Sequence, residues 1–308
     1  FGGMDHQKQR QHLARPIDIL IGTPGRLIDY SRSRHLDLSK TEILVIDEAD
    51  RMLDMGFIPD VRRIINQCPR TGERQTILFS ATLEESILRL ANSWLHDSIT
   101  VESEPEQVVT DLIDQTFYTA ARHEKFPLLM WLLKHEDYSR IMIFGNRKDF
   151  NGDLCDKLKA CGIDCGLLSG DVPQQKRIKI LDRFRSGEVK ILVATDVAAR
   201  GIHIDDVSHV INYDLPERAE DYVHRIGRTG RAGTTGKSIS FVCEMGAYAL
   251  ADIEKYADIK AECIFPEDEM VTPVDVPNIP KKKSGGNRSS GPRSKNRSGR
   301  RPGNRRSY

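Results

Sequence analysis

The chain has no apolar run approaching the ~18 consecutive residues of a membrane-spanning helix, so no membrane partner is expected. It also lacks the Gly-x-x-x-x-Gly-Lys-Ser/Thr loop that commonly cradles the β- and γ-phosphates of a nucleotide. Its cysteines, at positions 68, 155, 161, 165, 243 and 263, show no paired C-x-x-C spacing and no accompanying histidines. That argues against a disulfide framework or a metal cluster and fits small apolar fillers in a reducing compartment, so the cytoplasm is the expected location. Acids are missing from Lys281 to Tyr308, which hold 11 Lys or Arg, while the preceding residues carry 35 basic against 45 acidic groups. The net charge of +1 thus conceals an acidic body and a polycationic tail. Aromatics make up only 6% of the chain, yet 39% of its 308 residues are hydrophobic, enough to bury a core in each of two domains.

Among the features present, Val-Ile-Asp-Glu-Ala-Asp at Val45 to Asp50 is the most informative. Ile43 to Ile46 reads as a buried parallel strand, which puts Asp47 and Glu48 at its carboxyl end. In doubly wound sheets ligands bind at that edge, and in nucleoside triphosphatases an acid there holds Mg²⁺ while a neighbour handles the attacking water. Alone, the string also fits an acidic turn. Ser80-Ala81-Thr82 follows a second apolar strand at Thr76 to Phe79, and His-Arg-Ile-Gly-Arg-Thr-Gly-Arg occupies His224 to Arg231. Early carboxylates and a late basic cluster read as two halves of one phosphate site.

Residues 1 to 104 alternate strand-like runs (Asp18 to Ile21, Ile43 to Ile46, Thr76 to Phe79) with helical stretches at Pro59 to Gln67 and Glu84 to Trp94. An acidic linker over 105–112 precedes a second α/β rhythm over 113–266. Its candidate strands are Asp114 to Tyr118, Ile141 to Phe144, Cys165 to Leu168, Lys190 to Ala194, His209 to Tyr213 and Ser238 to Val242, and its candidate helices include Lys125 to Lys134 and Gln174 to Phe184. From 267 to 308, prolines and then basic, aliphatic-free sequence predict a disordered tail.

These strings resemble, in order and spacing, those of the DEAD-box RNA helicases, over residue 1 to about residue 270. Thr-Pro-Gly-Arg at Thr23 to Arg26, Phe-Gly-Gly at Phe1 to Gly3 and Ala-Thr-Asp-Val-Ala-Ala-Arg-Gly at Ala194 to Gly201 match further motifs of that family. The resemblance implies two RecA-like parallel-sheet domains, the first of them incomplete in this chain because the family places its phosphate loop farther upstream. It implies an ATP- and Mg²⁺-dependent enzyme acting on RNA: Asp47 holding the metal through water, Glu48 as general base, and Arg228 and Arg231 as arginine fingers reaching the γ-phosphate. Asp50, Ser80, Thr82 and His224 would couple the domains, with Asp50 pairing to His224. Gly2, Gly3 and Gly25 would let backbone approach RNA phosphates, with Thr23, Arg26, Arg177 and Thr195 as side-chain donors; a solvated helix face is the alternative for Arg177. Gly201 and His203 would lie by the ATP ribose, where His203 replaces the family's usual aspartate and so removes a fixed negative charge. Gly-Ile-His-Ile at Gly201 to Ile204, with Ser-Gly-Asp-Val at Ser169 to Val172, is similar to the bacterial RNA helicase B branch, which implies RNA-decay machinery as a partner. A non-catalytic RNA-binding scaffold or a DNA helicase would need fewer of these strings or a different substrate.

Overall fold

A computed structural model describes residues 6–102, 112–199, 204, 207–230 and 234–277. In the first domain, helices α1 (His6–Leu13) and α2 (Pro24–Arg32) lead to strand β1 (Ile43–Ile46), helices α3 (Ala49–Asp54) and α4 (Ile58–Ile65), strand β2 (Gln75–Leu78) and helix α5 (Glu85–Trp94). The two strands pair in parallel, Ile43 against Gln75 through Ile46 against Leu78. Ile58, Val61 and Ile65 recur at helical spacing on α4, as do Ile87, Leu90 and Trp94 on α5, and both stripes close on Ile46 and Ala49. That core holds the carboxyl end of β1 against the carboxyl end of β2.

The second domain runs β3 (Ile113–Thr119), α6 (Lys125–His135), β4 (Ile141–Phe144), α7 (Lys148–Ala160), β5 (Cys165–Leu168), α8 (Gln174–Arg185), β6 (Ile191–Ala194), α9 (Asp196–Ala199), β7 (His209–Asn212), α10 (Ala219–Ile226), β8 (Gly236–Val242), α11 (Ala247–Ala257) and β9 (Cys263–Ile264). Among the described residues its strands form one parallel sheet of seven, ordered β5-β6-β4-β7-β8-β3-β9. Strands β4 and β6 are apolar throughout because both faces are covered: Ile141 and Ile143 of β4 pack into the core with α6 and α7, while Met142 and Phe144 enter a core with Phe184 of α8. The chain leaves β4 to one side for β5 and β6, then crosses to the other side for β7. That reversal opens a crevice at the carboxyl ends of β4, β6 and β7.

Three sequence expectations are corrected. Asp18 to Ile21 forms no strand; Ile19 and Ile21 are exposed, and no described strand lies beside them to complete a ladder. The disorder expected from 267 does not hold over 267–277, since Met270 is buried in the α6–α7 core with Val271, Val274 and Val276 packed against it. Four apolar side chains among the prolines supply burial that the Pro-rich composition hides. The two-residue β9, which extends the sheet beyond β3, was not expected. The linker, apart from Leu112, and residues 278–308 lie outside the described residues.

Candidate active site at the domain seam

Asp47 follows β1 directly and is exposed, with its Oδ1 accepting a hydrogen bond from the Glu48 amide at 2.9 Å. Glu48 adopts a left-handed backbone conformation (φ 53°, ψ 49°). For a non-glycine residue that costs roughly 1–2 kcal/mol and turns the chain sharply into α3. The turn is held by the Ala49 amide, which donates to the Phe79 carbonyl at 3.0 Å, while the Phe79 amide donates to the Ile46 carbonyl at 2.8 Å. The same hydrogen bonds bring Ser80 and Thr82 beside the acidic turn. Ser80 Oγ is buried without a hydrogen-bond partner among the described residues, so it can take a new partner at low cost.

Across the seam stands α10. Asp50, Thr82, Ala81 and Glu84 of the first domain and Glu220, Asp221 and His224 of the second line one crevice. Asp50, Thr82 and His224, three of the four residues expected to couple the domains, line this crevice, but the expected pairing of Asp50 to His224 is not made. Arg51, not Asp50, reaches His224: its Nη2 donates to His224 Nδ1 at 2.7 Å and to Asp221 Oδ1 at 2.6 Å. Asp50 instead accepts from the Arg51 amide at 2.9 Å. Arg218 pairs with Asp54 alongside. Withdrawal of His224 from water at the seam lowers its pKa, and the Arg51 and Arg228 guanidiniums add to that against Asp221 and Asp50. A neutral imidazole is required if Nδ1 accepts from Arg51.

The basic string from His224 to Arg231 divides by depth. Arg225 is 2% exposed and is the anchor of the crevice. Its guanidinium grips Asp196 with two bonds at 2.6 and 2.7 Å, Asn146 Oδ1 at 2.8 Å and the Asp214 carbonyl at 2.6 Å, and its carbon lies 5.2 Å from the Phe144 ring centre. Those partners come from the ends of β4, β6 and β7, so one side chain ties all three strand ends to α10. Arg228 lies one turn beyond His224 and lines the adjoining crevice with Arg51, Asp196 and Asp221. Gly230 has φ +66°, and a Cβ there would come within 2.8 Å of Ile113, so the turn after Arg228 requires glycine. Gly201, His203 and Arg231 lie outside the described residues, as do Gly2 and Gly3.

Of the residues expected to meet RNA, Thr23 is the N-cap residue of α2 with Pro24 next, and its hydroxyl makes no capping bond. A Cβ at Gly25 would meet nothing within 4 Å, so the backbone there opens to solvent. Arg26 reaches toward the Tyr30 ring, its carbon 5.8 Å from the ring centre. Arg177 donates to the Ala198 carbonyl, tying α8 to α9, and so is not a solvated helix side chain. Thr195 immediately precedes α9, its carbonyl accepting from the Ala198 and Ala199 amides at 3.0 Å each. No role was foreseen for Arg51, Asp54, Asn146, Arg218 and Asp221, nor for Asp196 and Arg225, although those last two lie inside the strings at Ala194 to Gly201 and His224 to Arg231.

Comparison with known proteins agrees with this geometry. The DEAD/DEAH box helicase family matches residues 1–90 and the helicase conserved C-terminal domain matches residues 124–233. The ATP-dependent RNA helicase RhlB of Pseudomonas aeruginosa is 52% identical over 274 residues, covering 89% of this chain and 69% of that protein. RhlB of Xanthomonas axonopodis is 46% identical, covering 91% of this chain and 49% of that protein. Among solved structures, Saccharomyces cerevisiae Dbp5 bound to RNA and ADP BeF3 superposes with a TM-score of 0.70 at 35% identity, over 80% of this chain and 65% of that one. Mss116p bound to ssRNA and AMP-PNP gives 0.71 at 29% identity, over 87% and 57% respectively. Two RecA-like halves, an acidic turn that meets the helix bearing His224 across their seam, and identity of this extent to RhlB place the chain in the DEAD-box family of ATP-hydrolysing RNA helicases.

Proposed function

We propose that this chain forms the seam-bearing part of an ATP-driven RNA helicase that separates short duplexes by closing its two domains on one strand. The observation that carries the reading is the meeting of Asp50, Thr82 and His224 around one crevice, because it couples the end of β1 to the helix that leads to Arg228. In this reading Glu48 accepts a proton from the water that attacks the γ-phosphate, and Arg228 and Arg231 neutralise charge that develops there, so hydrolysis waits for the domains to dock. Asp47 suits Mg²⁺: it is an exposed carboxylate at a strand end, and among the described residues no three His, Cys, Asp or Glu side chains converge to build a protein cage. The ion would therefore be held through its own waters, and it would draw charge from the phosphate oxygens when bound.

Thr23, Gly25 and Arg26 at the amino end of α2, with Gly2, Gly3, Arg177 and Thr195, form the RNA track; Arg177 acts there by fixing α9. Contacts of this kind read phosphates and 2′-hydroxyls without sequence preference, and bending the bound strand out of A-form geometry releases its partner. Gly201 and His203 flank the ribose. The likeness to RhlB supports RNA-decay machinery as the partner and the cytoplasm as the location. The 308 residues alone, lacking the phosphate loop, are expected to show no RNA-stimulated ATP hydrolysis.

The test is Glu48→Gln in a protein carrying a phosphate loop ahead of residue 1. ATP and RNA binding should persist while turnover is lost, because the amide keeps the shape but cannot take the proton. Hydrolysis at the unsubstituted rate would overturn the assignment.

A further inference from the structure

The ion pairs across the seam are reciprocal. On α3, Arg51 and Asp54 stand three residues apart, which puts them on one helix face. On the facing element Arg218 and Asp221 stand three apart in the same order, cation then anion. They pair crosswise, Arg51 with Asp221 at 2.6 Å and Asp54 with Arg218. The inner pair is withdrawn from water, with side chains 11% and 14% exposed, while the outer pair is 46% and 35% exposed. Solvent therefore screens the inner pair less. None of these four side chains is required by the chemistry above, yet Arg51 also donates to His224, one turn before Arg228.

We propose that Arg51, Asp54, Arg218 and Asp221 form an electrostatic clasp that sets the docked position of α10 against the first domain, and so act as positioning residues for Arg228. The consequence for catalysis rests on the function proposed above; the docking does not. Complementary dyads also fix the sense of docking, because sliding α10 by one turn would bring like charges face to face.

The clasp is testable in the 308-residue chain by single-molecule energy transfer between dyes carried on noncanonical amino acids at exposed Arg89 of α5 and Lys179 of α8. Asp54→Arg alone and Arg218→Asp alone each oppose like charges, and each should lower the ratio of docked to undocked molecules roughly tenfold, within the range of couplings between contacting residues. Combined, they leave cations on α3 facing acids on α10, and the ratio should return to near its original value. The neutral Arg218→Gln should give an intermediate loss, which separates loss of attraction from misfolding. Raising salt should undock the unsubstituted chain and the double variant alike. An unchanged ratio in both single reversals, or a double variant no better than the worse single, would overturn the clasp. Glu48→Gln should behave here as the unsubstituted chain does, so a failure of the catalytic reading is seen separately.

Discussion

Replacing Arg225 with methionine removes a buried guanidinium and leaves a hydrophobic stem of similar reach. The loss strands the Asp196 carboxylate, Asn146 Oδ1 and the Asp214 carbonyl, which lose donors at 2.6 to 2.8 Å. Breaking a buried ion pair from one side costs about 3–5 kcal/mol. The Asp196 side chain is 21% exposed, so water can rehydrate it in part and the low end, about 3 kcal/mol, is expected. Two domains need not unfold together, so the probe must report on the second alone. Trp94 lies in the first domain and Trp131 in the second, stacked 4.2 Å from the His135 ring; a Trp94→Phe background isolates the latter. With a urea slope near 2 kcal/mol per M, the Trp131 transition should move down by about 1.5 M. Arg225→Lys should recover only part of this, since one ammonium cannot reproduce the two-pronged grip on Asp196. A shift below roughly 0.25 M, the size of an ordinary surface substitution, would refute the anchoring role.

Acidification should undock the seam. His224 has its pKa lowered from the ordinary 6.5, so the neutral form is the favoured one in the docked state. Its contribution is complete above the ordinary value of 6.5 and is lost as pH falls below it, so the docked population should drop on acidification through that value. His224→Gln should flatten the profile; a profile unchanged by that substitution would assign the pH dependence elsewhere. Removing residues 267–308 should destabilise the second domain by about 2–4 kcal/mol through loss of the Met270 side chain and its neighbours, whereas removing 281–308 should leave thermal unfolding unmoved. Equal melting of the two truncations would contradict the packing of that segment. The 11 positive charges of Lys281 to Tyr308 should tether RNA, each neutralised phosphate adding about −0.7 to the slope of log K against log salt. Affinity and slope indifferent to the truncation would remove the tail from RNA binding.

The second domain was most legible where a strand covered on both faces is a short apolar run bounded by polar turns; β4 and β6 read directly as Ile-Met-Ile-Phe and Ile-Leu-Val-Ala. Asp18 to Ile21 carries the same pattern without a pairing partner, and pattern alone cannot supply one. The opposite error hid Met270, whose burial is set by a core assembled from residues between Ala120 and Phe241. At the site, Asp47, Glu48, His224 and Arg228 stood out because their strings are unusual. Arg51, Asp54 and Arg218 did not, since a charged residue on a helix face looks the same in sequence whether it meets water or a partner 164 to 170 residues away. Arg225 was read only as one more cation of a basic string; Asp196 and Asp214, each just beyond an apolar strand, were the available hint that it had somewhere to go.

The strand order of the second sheet has a consequence for the chain as it leaves the ribosome. β3 is made first, yet its place is between β8 and β9, and its seven-residue register with β8 spans Ile113 against Gly236 to Thr119 against Val242. At ~5–20 residues per second, roughly 6–25 seconds pass between synthesis of β3 and arrival of the strand it pairs with. During that interval Ile113 to Thr119 is an unpaired strand with exposed edges, the condition in which neighbouring nascent chains on one messenger associate. Synthesis of β8 and β9 is thus the commitment step for this domain, and a ribosome stalled before the codon for Gly236 leaves the first strand of the sheet without its long partner.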